Sequence, residues 1–500
     1  MLFWRKKKVE TKETPVEEKG EEVEILESYK IDDLVSVRIV AGTPPRYEVI
    51  EPELTAGERE LIKEIKTRLY EVIDAEPDEI ADRESYLRDC VQKILKDFRI
   101  NIKNERFEKL MYYIYRDLLR YDKLDVFLRD PTIEDISVDG PNVPVYIYHR
   151  KYGSMPTNVQ FDSEELDALI YKLAQRAGKH ISLANPLLDA SLPTKDRLQL
   201  TLGSEVTARG STITIRRFRE IPLSPIDLIN YGTYSVEMMA YMWMAVENGS
   251  NIMIAGGTAT GKTSTLNAIA MFIPPESKIV TIEDTREINL LHENWIPAVT
   301  REGGEGRKEI DMFELLKTAL RQRPEYIIVG EIRGREAYTL FQAMATGHAT
   351  LSTIHADSTD AVVRRLTKPP IDVPIVLLDN IDVLCIQRLV KVGAGRFRRC
   401  IQIIEVLDVD FETESLRTNE LFRWRAADDK FEFSGESMVF SEIMEKMNID
   451  EDELSEEFNR RVKILEWMRK KNITEFRDIA KILFMYTRDP DKIMEVVESG

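Results

Sequence analysis

Residues 251–264, NIMIAGGTATGKTS, carry the most specific chemical pattern in this chain. Four of them, Gly256, Gly261, Lys262 and Thr263, match G-x-x-x-x-G-K-[ST], the spacing of a loop that binds nucleotide phosphates. Glycines let backbone amides face an anion, and the lysine adds positive charge beside the β- and γ-phosphates. The Thr263 hydroxyl can hold Mg²⁺, and the residues predicted to bind ATP are Gly256, Gly257, Thr258, Ala259, Thr260, Gly261, Lys262, Thr263 and Ser264.

Acidic residues follow two apolar runs that resemble buried strands. Glu331 follows residues 326–330, and the cluster EDTRE follows residues 278–282. In enzymes with this loop, such a carboxylate holds Mg²⁺ through water or polarises the attacking water. In the EDTRE cluster the candidates are Glu283, Asp284 and Glu287. For Glu283 and Asp284, a solvated turn position is an equally good interpretation.

Two of the five histidines, His348 and His355, flank one short predicted strand in GHATLSTIHADS. Other residues with metal-ligand spacing are missing nearby, so we do not predict a metal site there. A sensor of the γ-phosphate or a relay at an interface is favoured over a buried structural histidine.

Composition limits the class of protein. A chain of 500 residues is too long to form a single hydrophobic core, so two to four domains are expected. A content of 43% hydrophobic residues favours globular folding. A net charge of −18 argues against a nucleic-acid partner. The three cysteines form no C-x-x-C pair, so a cytoplasmic protein is expected. Since no run reaches ~18 apolar residues, no transmembrane segment is predicted.

Periodicity predicts the elements that position these residues. Strand and helix patterns alternate around the phosphate-binding loop, which predicts a mainly parallel, doubly wound α/β sheet. Its expected strands are 251–255, 278–282, 325–330 and 349–354. The predicted organisation is a disordered charged leader at 1–30, a helical domain at 31–125, an α/β domain at 126–218, a linker at 219–229, a P-loop core at 230–425 and a helical extension at 426–500.

Arginines are dense just before the predicted P-loop core. Arg197, Arg209 and Arg216 lie within 20 residues of one another. Surface ion pairing explains such a density as well as a functional role does.

Four motifs in this order, GGTATGKTS, TIEDTRE, IIVGEIRGREA and GHATLSTIHA, resemble the Walker A, Asp, Walker B and His boxes of the type II/type IV secretion ATPase family. That family includes secretion, pilus and archaellum motor ATPases. The resemblance is strong over 130–410, and the terminal segments look like its archaeal branch. It implies an N-terminal helical bundle, a PAS-like α/β domain and a RecA-like P-loop core with a helical C-terminal extension. It also implies a homo-hexamer that docks on a polytopic membrane platform protein at the inner face of the cell membrane.

The resemblance also assigns roles residue by residue. Lys262 and Thr263 match the phosphate and Mg²⁺ positions, and Glu331 matches the Walker B glutamate, which holds Mg²⁺ through water. Glu287 matches the catalytic glutamate. The His-box positions are His348 and His355, and the arginines most able to reach a γ-phosphate, within or across subunits, are Arg197, Arg209, Arg216 and Arg321.

Two departures from the family pattern matter. Ala259-Thr260 stands where glycine or serine is frequent, and the four-cysteine zinc module of bacterial type II secretion ATPases has no counterpart. The sequence therefore predicts an ATPase motor for a type IV pilus-like filament or related export. An archaellum motor shares every motif and stays open. A nucleic-acid-translocating ATPase and a scaffold without turnover are more remote.

Overall fold

The computed structural model describes residues 24–72, 82–218, 222–301, 308–393 and 395–499. The chain divides into two compact units, residues 1–218 and 219–500. They are called the N-terminal unit and the C-terminal unit. The phosphate-binding loop lies in the C-terminal unit.

Two antiparallel sheets form the β-structure in the described part of the N-terminal unit. One has three strands in the order β1-β2-β3, and the other has six in the order β6-β5-β4-β9-β8-β7. The strands are β1 (Ile25–Lys30), β2 (Ser36–Val40), β3 (Arg46–Ile50), β4 (Ile133–Val138), β5 (Tyr146–His149), β6 (Gly153–Pro156), β7 (Leu187–Ser191), β8 (Arg197–Thr201) and β9 (Thr212–Arg216).

Helices of the N-terminal unit pack beside these sheets. They are α1 (Ala56–Val72), α2 (Arg83–Asp97), α3 (Asn104–Ile114), α4 (Asp125–Arg129) and α5 (Ser163–Arg176). A π-helical turn, Tyr115–Leu119, extends α3. At the start of α5, the Asp162 carboxylate accepts from the Glu165 amide in a capping box, which explains why the helix begins there.

The core of the N-terminal unit crosses the domain boundary predicted at residue 125. Buried apolar side chains from α1, α2 and α3 belong to the same cluster as those from β4, β8 and β9. The predicted leader at 1–30 also ends early. Residues 1–23 lie outside the described part, whereas Ile25–Lys30 pair with β2 as a strand, anchored by a 2.6 Å hydrogen bond from the Tyr29 hydroxyl to Asp130.

A mixed sheet forms the centre of the C-terminal unit. Among described residues it has nine strands in the order β12-β11-β13-β14-β10-β15-β16-β17-β18. The first six in that order are parallel, and β15 to β18 pair antiparallel. The strands are β10 (Ile252–Gly256), β11 (Ile279–Glu283), β12 (Trp295–Val299), β13 (Tyr326–Ile332), β14 (Ala349–Ile354), β15 (Val383–Val392), β16 (Gly395–Asp410), β17 (Ser415–Arg425) and β18 (Lys430–Phe433).

Helices cover both faces of this sheet, and two hydrophobic clusters lie beneath them. The helices are α6 (Pro225–Asn230), α7 (Val236–Glu247), α8 (Lys262–Ala270), α9 (Met312–Arg321), α10 (Glu336–Ala345), α11 (Thr359–Thr367), α12 (Met438–Met447), α13 (Glu451–Lys470), α14 (Phe476–Arg488) and α15 (Pro490–Ser499). Helix α7 is buried from Met238 to Val246, as its continuous apolar sequence predicts. Within the described ranges, no helix combines the length and apolarity that crossing a membrane requires.

Two predicted boundaries differ from the observed elements. Of the linker predicted at 219–229, residues 219–221 lie outside the described part, and Pro225–Asn230 form a helix capped by Ser224. The helical extension predicted at 426–500 begins with a strand, because Lys430–Phe433 pair with β17 and complete the sheet. The four strands expected around the phosphate-binding loop are present, and β14 has the predicted bounds.

Candidate functional site

The predicted phosphate-binding loop connects β10 to α8. Gly261 precedes the helix with a φ of +92°, a left-handed conformation that costs glycine little. At the other end of the loop, a Cβ atom on Gly256 would lie 2.4 Å from Thr260 Oγ1 and 2.8 Å from the Gln387 carbonyl oxygen. Any larger residue at 256 would therefore force the loop apart.

Side-chain hydrogen bonds stabilise the conformation of the loop. The Thr260 hydroxyl and the Lys262 ammonium group both donate to the Gly257 carbonyl, at 3.0 and 3.1 Å. Lys262, Thr263 and Ser264 are half-buried in the first turn of α8. Because the free amides of a helix N-terminus attract anions, this arrangement can cradle a phosphate beside an ammonium group and a hydroxyl.

Arg398, on β16, also contacts the loop. Its Nε donates to the Ala259 carbonyl oxygen at 2.9 Å. Ala259 has a φ of +59°, a conformation that non-glycine residues adopt infrequently, so this hydrogen bond helps to hold it. Sequence reasoning missed Arg398, and the basic run at 396–399 is the signal that marks it.

Parallel strands bring most of the predicted site residues to one edge of the sheet. The carboxyl ends of β10, β11, β13 and β14 lie together, since these strands run in one direction. Lys262 follows β10, Glu287 follows β11, Glu331 lies near the end of β13 and His355 follows β14. Ligands of open α/β sheets bind at this edge.

The acidic residues of the EDTRE cluster differ sharply in burial. Asp284 is exposed and Glu287 is half-buried, but Glu283 is only 3% exposed. Burial raises the pKa of Glu283 to about 7. Its Oε1 accepts from the amides of Glu287 and Ile288, so a solvated turn position is excluded for Glu283.

Glu331 has a charged partner that sequence reasoning did not select. Arg333 donates from Nε to Glu331 Oε2 at 3.0 Å, and its Nη1 lies 3.3 Å from Asp284 Oδ2. Arg333 therefore joins the end of β13 to the EDTRE loop. The residue lies in the Walker B motif, two positions after Glu331, which is the signal that could have found it.

The half-buried Thr263 hydroxyl and the Glu331 carboxylate suit an ion that keeps most of its water ligands. Over the described ranges, no group of three or more histidine, cysteine, aspartate or glutamate residues is arranged to hold a metal ion. Mg²⁺ in nucleotide sites is typically bound by one or two protein ligands, phosphate oxygens and water. The donor set therefore fits Mg²⁺ that arrives with a nucleotide.

The two predicted histidines lie at opposite ends of β14. His348 precedes the strand, where its Nδ1 is 3.3 Å from the Ala343 carbonyl oxygen, and His355 follows it. Six residues at about 3.3 Å each separate the two rings by roughly 20 Å. They cannot contact the same phosphate of one subunit, so a role at an interface stays the prediction for His348.

The predicted arginines are also dispersed. Arg197 and Arg216 are register partners on β8 and β9, whereas Arg209 lies in the loop at the far end of the same strand pair. Arg197 pairs with Asp189 at 2.9 Å. Arg321 is exposed at the end of α9, which leads toward the amino end of β13, the edge opposite the phosphate-binding loop. Their role as residues that reach a γ-phosphate stays a prediction.

Comparison with known proteins places this site in a family. The type II/IV secretion system protein family matches residues 128–485. An uncharacterized protein of Methanocaldococcus jannaschii is 36% identical over 487 residues, which cover 92% of this chain and 88% of that protein. The chain therefore belongs to the type II/IV secretion system protein family, which confirms the resemblance found in its motifs.

Other relatives carry functional names. The type IV secretion system protein VirB11 of Bartonella henselae is 26% identical over 284 residues, covering 50% of this chain and 80% of VirB11. The X-ray structure of the ATPase DotB of Legionella pneumophila is 17% identical, covers 71% of this chain and 92% of DotB, and has a TM-score of 0.40.

Proposed function

We propose that this protein is an ATPase, the hexameric motor of a secretion system or of type IV pilus-like filament assembly. One observation carries the proposal. The loop built around Gly256 and Lys262 opens at the same sheet edge as Glu287 and Glu331. Membership of the type II/IV secretion system protein family supports secretion or filament assembly rather than another use of the same loop.

Each residue at this edge has a defined task in hydrolysis. In the proposed reaction Lys262 neutralises charge on the phosphates, and His355, which follows β14 at this edge, senses the γ-phosphate. Thr263, with Glu331 acting through water, would hold Mg²⁺, which supplies further neutralisation of phosphate charge when bound. Glu287 orients the attacking water and takes its proton as the water oxygen bonds to the γ-phosphorus. The bond from the γ-phosphorus to the β–γ bridging oxygen breaks, and that oxygen leaves with ADP.

The proposed assembly is a homo-hexamer at the cytoplasmic face of the membrane, docked on a polytopic platform protein. The relative named as a type IV secretion system protein supports a task at the membrane. The relative from Methanocaldococcus jannaschii, aligned over 92% of this chain, supports an archaeal branch. An archaellum motor is the alternative within that branch, and neighbouring genes for pilin-like or archaellin subunits separate the two.

Replacing Lys262 tests the central assignment. Lys262→Ala should abolish ATP hydrolysis, because phosphoryl transfer depends on charge placed beside the phosphates. Its unfolding temperature should match that of the parent. The control is Lys492→Ala, which removes an exposed lysine from α15 and should keep full turnover. Hydrolysis by Lys262→Ala at the parental rate would refute the assignment of this loop as the nucleotide site of the reaction.

Mixing subunits tests whether an arginine completes the site of a neighbour. Such an arginine supplies ~10³–10⁵ in rate in other P-loop enzymes. Lys262→Ala subunits mixed with Arg216→Ala subunits should regain some turnover, because some boundaries then carry one intact site. Arg209→Ala and Arg197→Ala, mixed in the same way, test the other candidates in the N-terminal unit. Specific activity that is flat with protein concentration, with no rescue by any variant, would place the whole site within one chain.

A further inference from the structure

The backbone of Glu287 is held from one side by the buried carboxyl group of Glu283. Glu283 Oε1 accepts from the Glu287 amide at 2.8 Å and from the Ile288 amide at 2.9 Å. The carboxyl group reaches forward from the last residue of β11 to the loop that follows it. Hydrogen bonds from two consecutive amides fix the direction of the chain at Glu287.

From the other side, the same backbone is held by Asn267 of α8. Its Nδ2 donates to the Glu287 carbonyl oxygen at 3.0 Å, and its Oδ1 accepts from the Asn289 amide at 2.9 Å. Asn267 is 4% exposed, so water competes little for these bonds. Both peptide groups that flank the Glu287 side chain are therefore bound to buried side chains.

Asn267 also links this loop to the phosphate-binding loop. It lies five residues after Lys262 on the same helix, a rise of about 7.5 Å along the axis. A rigid helix transmits any shift of its first turn to Asn267, and through Asn267 to the backbone of Glu287.

Glu283 contacts a second strand of the site as well. A Cβ atom on Gly330 would lie 3.2 Å from Glu283 Cγ, so β13 passes unusually close just before Glu331. The second oxygen of Glu283, Oε2, has no hydrogen-bond partner among the described residues. A buried carboxyl group with one unused oxygen costs stability, which points to a use other than holding the fold.

We propose that Glu283 and Asn267 are positioning residues that fix the Glu287 carboxylate relative to the phosphate-binding loop. The inference rests on the proposed ATPase function. It assigns these residues to the chemical step and not to nucleotide binding. Displacement of a reacting group by about 1 Å can cost on the order of 10² in rate, which sets the size of the expected effect.

The experiment separates turnover from binding in four variants. Asn267→Leu, Asn267→Asp and Glu283→Leu each remove at least one hydrogen bond to the Glu287 backbone. They should lower kcat on the order of 10²-fold and leave the Kd for a fluorescent ADP analogue within about twofold. Glu283→Gln keeps an acceptor oxygen and should retain most of the turnover. Asn267→Asp nearly preserves size, so it stays informative if a leucine variant does not fold.

A matched control comes from the other end of the same sheet. Asn419 on β17 also makes two side-chain hydrogen bonds, to Glu405 and to the Glu436 carbonyl oxygen. Asn419→Leu should lower the unfolding temperature but keep kcat per folded molecule. Equal losses of kcat in Asn419→Leu and Asn267→Leu would mean that Asn267 affects turnover only through the stability of the fold, and would overturn the proposed positioning role.

A double-mutant cycle with Glu287→Gln provides the decisive measurement. If Glu283 and Asn267 act through Glu287, their substitutions should change residual turnover by less than about twofold once Glu287 is already Gln. A full further loss in that background, or a Kd that rises in step with the fall in kcat, would overturn the inference. A parent with no turnover would instead refute the proposed ATPase. The inference would then be tested by amide hydrogen exchange at residues 287 and 288. Exchange at these amides should be faster in Asn267→Leu and Glu283→Leu than in the parent, and unchanged exchange would overturn the inference.

Discussion

Two buried glutamates of the central sheet in the C-terminal unit differ in their hydrogen bonding. Glu283 lies in the half of the sheet with parallel strands, and Glu405 lies in the half with antiparallel strands. Glu405, on antiparallel β16, is fully buried and both of its oxygens are bonded. Oε1 accepts from the Tyr241 hydroxyl at 2.8 Å, and Oε2 accepts from Asn419 Nδ2 at 3.0 Å and the Met438 amide at 2.8 Å. Glu283, at the end of parallel β11, uses one oxygen only.

The difference distinguishes the antiparallel half of the sheet, a structural region, from the parallel half, a region that carries the proposed catalytic residues. The partners of Glu405 lie on α7, on β17 and at the start of α12, so one carboxylate joins three elements of the fold. A fully bonded buried carboxylate is a fixed junction. The partners of Glu283 belong to one loop, the loop that carries Glu287, and this loop is bonded in turn to α8.

The largest effect should come from the reactive region. Glu287→Gln removes the charge that we propose orients water and should lower turnover on the order of 10²–10⁴, the range for a general base. ADP binding and the unfolding temperature should stay near those of the parent. Steady-state hydrolysis and thermal unfolding measure both quantities. Glu293→Gln, at an exposed position beyond the same loop, is the control. Equal turnover in Glu287→Gln and Glu293→Gln would refute the proposed catalytic role of Glu287.

The next largest effect should appear in the structural region. Glu405→Leu leaves the donors of Tyr241, Asn419 and Met438 without their acceptor, which should lower the free energy of unfolding by about 3–5 kcal/mol. Urea denaturation measures this, with exposed Glu412→Leu as control. Turnover per folded molecule should persist. A specific loss of kcat at unchanged stability would mean that Glu405 also serves the reaction.

A smaller effect should follow the titration of Glu283. Burial is the main cause of its raised pKa, and Glu287 raises it further, while the two amides and Arg286 lower it. Between its ordinary pKa of 4.5 and the folded value of about 7, the folded state binds more protons than the unfolded state. Stability therefore falls as pH rises across this window and is flat above it, with a contribution on the order of 1–3 kcal/mol.

Urea midpoints at pH 5 and pH 7.5 measure this slope. Glu283→Gln cannot titrate and should show a smaller fall in stability between the two pH values than the parent does. Glu293→Gln serves as the control again, since it lies in solvent. Parallel slopes for Glu283→Gln and the parent would show that Glu283 does not change its protonation in this range.

The smallest effect should occur where the two regions meet. Arg398 belongs to the antiparallel half but bonds to Ala259 in the phosphate-binding loop. Arg398→Ala removes the hydrogen bond to the Ala259 carbonyl oxygen, worth about 0.5–1.5 kcal/mol, so nucleotide should bind roughly threefold to tenfold more weakly. Fluorescent ADP titration measures this against Arg396→Ala, an exposed arginine on the same strand. Identical Kd values would confine the antiparallel half to a structural role.

Sequence reasoning was most successful where the determinants are local. The spacing from Gly256 to Thr263 predicted the strand, loop and helix of the phosphate-binding loop, and the short segment ATLSTI at 349–354 predicted β14. The antiparallel half was missed because strands such as β16 are long and carry many charges, and the strand preference of such residues depends on their context in the sheet.

Burial within the EDTRE cluster could not be predicted from sequence either. Glu283 and Glu287 are alike in type and only four residues apart, and the approach of Gly330 and Asn267, which are distant in sequence, decides which one is buried. The separation of His348 from His355 was predictable in principle. The residue that precedes a strand and the residue that follows it must lie at opposite ends of that strand, and therefore at opposite edges of the sheet.

The strand pair β8–β9 in the N-terminal unit separates the candidate arginines by a known distance. Arg197 and Arg216 mark one end of it, and Arg209 marks the other, five residues of extended chain or about 15 Å away. In the subunit-mixing experiment, the arginine that gives rescue would therefore report which end of this strand pair faces the nucleotide of the neighbouring subunit in the proposed hexamer.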